Sequence, residues 1–284
     1  MELCGEIENP VADFVVFTWQ HLNKQQSDTA SVGEDGTFNL NIRVSSPSYY
    51  VFRHGREIAH MYITPGDSLC LFLNTEEFDE SLSFKGRGDI YNNFLAKKFI
   101  FRERNFPIAK ILYSLEEERF IEKTDSLKLI MEEFLKDYYK SHRKEIERDF
   151  YKLEKEDILY TWANQRLNYP YLHPYYAQKE GFKTSDDYDD FLNKTDLNDK
   201  ELLELRSYNT FLNTFLKYKA DKKLSDMDNA EKRYNGVIKQ IFKIAVNEFK
   251  HEKLRDHILF QALSDQIQYK SIKDIKPLIN QFSK

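Results

Sequence analysis

The sequence predicts an α+β protein, a small antiparallel β-sandwich over residues 1–87 followed by an all-helical bundle over residues 88–284. Three observations carry this. Apolar side chains alternate with period two in the first part, Gly and Pro punctuate those runs, and beyond Asp89 the apolar spacing changes to three and four. In Thr37–Val44, Phe38, Leu40, Ile42 and Val44 fall on one face and Thr37, Asn39, Asn41 and Arg43 on the other, as a half-buried strand requires. Asp35-Gly36 ahead of it is a turn signal. Apolar runs at Tyr49–Phe52, Ile58–Ile63 and Leu69–Leu73 follow, separated by His54-Gly55 and by Pro65-Gly66, where Pro presets φ and Gly accepts positive φ. The expectation is an antiparallel meander.

After Asp89, Ile90, Phe94 and the Phe99-Ile100 pair start a helix that Pro107 must interrupt. Ser114-Leu115-Glu116-Glu117 has capping-box spacing. Apolar stripes run through Phe120, Leu127, Met131, Phe134 and Tyr138, through Leu205, Tyr208, Leu212 and Phe215, and through Ile238, Ile241, Ala245 and Phe249. A last stripe, Leu254, Ile258, Ala262 and Ile267, is expected to end near Pro277. The pattern amounts to roughly six or seven helices.

Composition narrows the classes. Charged residues make up 31% and aromatics 15% of the 284 residues, which fits an ordered chain with an aromatic interior. The net charge is −5 and basic residues are interleaved with acidic ones, so no stripe suits a nucleic-acid backbone. No apolar run approaches the roughly 20 residues of a membrane span. No export signal is visible, so the expectation is a cytoplasmic protein or one whose export segment has been removed.

Catalytic signatures are missing. Cys4 and Cys70 belong to no C-x-x-C pair, and the residues leave two readings open: two free thiols in strands, or a staple across neighbouring strands. His251 and His257 miss the H-E-x-x-H spacing, since Arg255 stands where the second His is needed. No metal and no cofactor is expected. Asp186–Asp190 lacks the calcium-loop pattern and reads as the first turn of a helix capped by Thr184. No phosphate-cradling or nucleophile-elbow motif occurs. The one candidate binding surface is the aromatic, proline-broken stretch Tyr169–Tyr176, read as a loop whose Tyr169, Tyr171, His173, Tyr175 and Tyr176 supply rigid amphipathic rings, either as a platform or as a packed connector.

The succession Leu3–Asn9, Asp35-Gly36-Thr37-Phe38, Met61–Leu69 with its Thr64-Pro65-Gly66-Asp67 turn, Phe84-Lys85-Gly86 and Tyr91-Asn92-Asn93-Phe94-Leu95 resembles the N-terminal region of TlpA-like thioredoxin-fold proteins of the bacterial cell envelope. Ser207–Leu212 and Leu254–Leu259 extend the likeness over nearly the whole chain. In that family the chemistry belongs to a downstream thioredoxin domain with a W-C-x-x-C motif, and neither Trp19 nor Trp162 is followed by Cys. The resemblance therefore transfers no catalytic residue. It implies a non-catalytic N-terminal module of an exported thiol-disulfide oxidoreductase, periplasmic, whose partners are the downstream thioredoxin-like domain and protein substrates. The chain ends at Lys284, about where that domain would begin. It is expected to be either the N-terminal region of a longer oxidoreductase or a natural relative lacking the catalytic domain. Two alternatives are an autonomous envelope protein binding a glycan or peptide, and a hydrolase with scattered residues.

Overall fold

The computed structural model describes residues 1–21, 24–224 and 230–269, with Lys276 and Asn280. The side chain of Ile267 and the stop expected near Pro277 lie outside the described residues. The chain divides into two compact units, one made of Met1–Pro107 with Phe134–Lys152, the other of Ile108–Glu133 with Leu153–Lys284. The sequence change at residue 87 marks where strands give way to helices, whereas the first unit also takes in helical residues on both sides of 108–133.

Two four-stranded sheets form the sandwich of the first unit. One has the order β4-β1-β7-β8, from β1 (Glu2–Glu8), β4 (Thr37–Asn41), β7 (Ser68–Asn74) and β8 (Ser83–Arg87). The other has the order β3-β2-β5-β6, from β2 (Phe14–His21), β3 (Lys24–Ser31), β5 (Ser48–His54) and β6 (Glu57–Ile63). Period-two alternation turns Leu3, Ile7, Phe38, Leu69, Leu71 and Leu73 of the first sheet inward to meet Val15, Phe17, Phe52, Ala59 and Met61 of the second. Each fully buried Phe or Leu here contributes about 1.5–3 kcal/mol. Gly5 sits opposite Phe38, and a Cβ on it would meet the Phe38 ring at 2.3 Å, so the missing side chain is the space the ring fills.

The expected meander is corrected: of its runs only β5 and β6 pair in succession, while β4 and β5, and β6 and β7, lie in different sheets. β1 pairs with β4 antiparallel but with β7 parallel, Leu3 opposite Leu69 and Ile7 opposite Leu73. A hairpin cannot join parallel neighbours, and here more than sixty residues separate the partners, so local periodicity carries no trace of the pairing.

Beyond β7, a short helix α1 (Phe78–Ser81) precedes β8, and α2 (Asp89–Asn105) follows it. α2 stops before Pro107, as the sequence predicts, but its buried face is Tyr91, Asn92, Phe94 and Lys98, and Phe99 is exposed. α3 (Ala109–Tyr113), α4 (Glu117–Ser141) and α5 (Arg148–Ala177) come next. Phe134 and Tyr138 of α4 and Phe150 of α5 ring Phe94 within the first unit, with Phe150 also 4.8 Å from Tyr91 between centroids. The capping box is not formed. Ser114 ends α3 and donates to the Lys110 carbonyl, while the Glu117 carboxylate accepts from Ser185.

The second unit adds α6 (Arg206–Lys223), α7 (Ala230–Glu248) and α8 (Glu252–Tyr269). Their stripes are as read: Leu205, Tyr208, Leu212 and Phe215, then Ile238, Ile241, Ala245 and Phe249, then Leu254, Ile258 and Ala262 are all buried, and Phe211 and Leu216 of α6 are buried with them. The Thr184 cap is corrected. Asp187, without a side-chain cap bond, precedes a 3-10 helix at Tyr188–Lys194, and Asp189 instead pairs with Lys219 and Lys222. Burial acts to raise Asp189, and these two ammonium groups outweigh it to hold its carboxyl below the usual range.

Candidate functional site

Of the residues that carry the sequence resemblance, Thr64–Asp67, Phe84–Gly86 and Tyr91–Phe94 meet at one end of the sandwich, and their roles there are architectural; Asp35–Phe38 lies at the other end of β1, and Ser207–Leu212 and Leu254–Leu259 belong to the second unit. In Thr64-Pro65-Gly66-Asp67 both Asp67 oxygens are engaged, accepting from the Thr64 backbone N–H at 2.7 Å and its hydroxyl at 2.9 Å. Gly66 has φ 90°, which permits the turn. Gly86 has φ 111°, and a Cβ there would lie 2.2 Å from the Ser68 carbonyl oxygen; at Gly88, φ 98°, it would strike the Asp67 carboxylate at 2.7 Å. The F-x-G segment is thus strand β8 drawn tight against β7.

Tyr91-Asn92-Asn93-Phe94 completes the arrangement. β6 and β8 are edge strands, one in each sheet. Asn92 accepts from the Tyr62 N–H at 2.9 Å and donates to the Tyr62 carbonyl at 2.9 Å, so its carboxamide stands in for a neighbouring strand. Asn93 does the same for Phe84 of β8, both bonds at 2.9 Å. Two consecutive side chains of α2 thereby cap one edge of each sheet, at Tyr62 of β6 and Phe84 of β8, with one helix. A cleft of about 390 Å³ beside this junction is lined by Thr64, Pro65, Asp67, Gly86–Tyr91, Glu145 and Glu147. Burial raises the Tyr91 hydroxyl above the ordinary phenol range, and that hydroxyl accepts from the Glu147 N–H at 3.3 Å.

The two cysteines resolve to the staple. Cys4 and Cys70 occupy directly paired positions on β1 and β7, with Cα atoms 4.4 Å apart, and form a disulfide. Both are half-buried and lie on the outer face of their sheet, since the flanking Leu3, Leu69 and Leu71 point into the core.

The aromatic stretch is helix, not loop. Tyr169–Tyr176 lies inside α5 with Pro170 and Pro174 within it, and helical periodicity separates the five candidate residues. Tyr169 and His173 have no exposed surface. Tyr169 stacks on Phe120 at 4.1 Å and donates to the Leu115 carbonyl. His173 Nδ1 bonds the Tyr113 carbonyl at 2.9 Å and its ring packs between Tyr169 and Phe182. Tyr176 stacks against Tyr113, whose hydroxyl burial pushes up to about 12. Tyr171 and Tyr175 alone face out, 42% and 75% exposed, and Tyr171 donates to Asp221 at 3.0 Å.

Pro170 survives inside the helix because its missing N–H has a substitute. The Arg166 carbonyl, which a residue at 170 would otherwise bond, accepts from the buried Tyr188 hydroxyl at 2.8 Å. Arg166 also forms a cluster that the sequence reading missed: its guanidinium meets Asp125 at 2.7 Å and the Ile121 carbonyl at 3.0 Å, and Trp162 donates to the same Asp125 oxygen at 2.8 Å. The signal available was Trp162 and Arg166 four apart on one helix face; the partner Asp125 lies too far along the chain for pattern reading. His257 Nε2 donates to Asn209 Oδ1 at 2.8 Å.

Among the described residues no group of three or more His, Cys, Asp or Glu side chains is placed to hold a metal ion, and no helix is long and apolar enough to cross a membrane. No protein-family model, curated protein or solved structure matches the chain.

Proposed function

We propose that this chain is a non-catalytic N-terminal module of an exported thiol-disulfide oxidoreductase of the thioredoxin superfamily, which presents a surface to protein substrates and positions the redox domain. The observation that carries the reading is the use made of the shared motif residues. Asp67, Gly86, Asn92 and Asn93 are all spent on turning the chain and closing sheet edges. A motif set of that kind supports a scaffold, which offers shape and not reacting groups. The Cys4–Cys70 disulfide supports an oxidising compartment such as the periplasm. The exposed rings of Tyr171 and Tyr175 are the aromatic candidates for a contact surface.

The test is a fusion. Joined ahead of a thioredoxin-like domain carrying W-C-x-x-C, this chain is expected to change the ratio of rates on several disulfide-bonded protein substrates relative to that domain alone. Equal ratios across the substrates overturn the reading.

A further inference from the structure

We propose that the Cys4–Cys70 disulfide is a thiol-disulfide exchange site, reducible by a dithiol with the fold retained, in which Cys4 is the sulfur attacked and Cys70 the thiolate that leaves. This stands apart from the module reading, because it needs only a dithiol in solution.

Three features of the sheet support exchange over a purely structural staple. The disulfide lies on the solvent side, both residues half-buried, so a thiolate can reach it. It joins residues already in direct register on two strands paired from Glu2 opposite Ser68 to Glu8 opposite Asn74. Those strands are also held from the inner side by Leu3, Ile7, Leu69, Leu71 and Leu73, so breaking the S–S bond leaves both ladder and core in place.

Direction follows from the charges around each sulfur. Across the outer face the register runs Asn39, Cys4, Cys70, Lys85. Along its own strand Cys4 is flanked on the same face by Glu2 and Glu6, both exposed, whereas Cys70 is flanked by Ser68 and Phe72. The Lys85 ammonium lies 4.9 Å from the centre of the Phe72 ring, on the Cys70 side. In thiol-disulfide exchange the negative charge sits on the attacking and leaving sulfurs and least on the central one. Placing Cys4 at the centre keeps the leaving charge away from Glu2 and Glu6 and develops it on Cys70 beside Lys85, and a better-stabilised thiolate leaves faster.

The step balances as follows. One thiolate of the dithiol bonds to Cys4 Sγ, and the S–S electron pair departs on Cys70 Sγ. The second thiol, deprotonated, attacks its partner sulfur in the mixed disulfide and expels Cys4 as thiolate. The dithiol is oxidised by two electrons, and its two protons end on Cys4 and Cys70.

The experiment uses the full chain under native conditions. With dithiothreitol, both cysteines should become alkylatable by mass spectrometry while the far-UV circular dichroism stays unchanged. With reduced glutathione as a monothiol probe, the trapped mixed disulfide should map chiefly to Cys4. Lys85→Met, an exposed edge change, should slow reduction by about twofold to threefold at low salt and even out the adduct distribution. Thiols that appear only in denaturant, circular dichroism lost in step with reduction, or a glutathione adduct chiefly on Cys70 each overturn the proposal.

Discussion

Asn92 is fully buried and satisfies both backbone groups of Tyr62 as well as the Gly88 carbonyl. Asn92→Ala would leave those groups dry and unpaired, at a cost of about 3 kcal/mol read from the urea midpoint of unfolding. Asn92→Asp should be similarly harmful at neutral pH, because a carboxylate would face two carbonyls. Burial and those carbonyls would raise its folded pKa above the unfolded value, so the loss should shrink as pH falls below the raised pKa. A pH-independent penalty would refute the assigned contacts. The glycines of the same junction are ordered by geometry. Gly66→Ala meets nothing within 4 Å and should cost about 1–2 kcal/mol in backbone strain alone, whereas Gly86→Ala drives a methyl into the Ser68 carbonyl and should cost clearly more.

At the level of elements, α5 keeps Pro170 because the tertiary structure supplies the donor that it removes. Tyr188→Phe orphans the Arg166 carbonyl and should cost about 1–2 kcal/mol. Pro170→Ala restores an N–H for that carbonyl, so the cost of Tyr188→Phe should fall in the Pro170→Ala background; a double-mutant cycle showing no coupling would count against this account. The helical unit also carries a pH dependence. Burial, and then the Lys253 charge, lower the His257 pKa in the fold. The unfolded chain therefore takes up the proton first, and stability should fall as pH drops below about 6.5, the unfolded value. His257→Asn should flatten that slope in urea titrations at successive pH values.

For the whole molecule, the disulfide and the edge closure set what can be removed. Reducing Cys4–Cys70, which spans 66 residues of sequence, should cost about 2–4 kcal/mol against a domain stability of about 5–15 kcal/mol, so the reduced chain stays folded but unfolds at lower urea. Ending the chain after Arg87 is a different matter. It keeps every strand yet deletes Asn92, Asn93 and the aromatic ring of Tyr91, Phe94 and Phe150 that packs at the sandwich edge. That fragment is expected to self-associate through its opened edges in size-exclusion chromatography, while the full chain does not.

The α+β class, the core-facing residues of β4 and β7 and the apolar stripes of α6 to α8 were legible in the sequence, because side-chain period follows directly from backbone geometry. The strand β3, Lys-Gln-Gln-Ser-Asp-Thr-Ala-Ser, was not, since an edge strand is held by its ladder to β2 and needs little apolar alternation. Nor was the helical state of Tyr169–Tyr176, where a distant Tyr188 hydroxyl repairs the proline break. The Pro65-Gly66-Asp67, Phe84-Lys85-Gly86 and Asn92-Asn93 signals were visible as letters, but only the fold joins them into one clamp across two sheet edges. By itself the sequence determined which residues alternate, turn and cap. The tertiary structure decided the parallel β1–β7 pairing, and with it the Cys4–Cys70 bond, because contacts between residues more than sixty apart are fixed by packing and not by local periodicity.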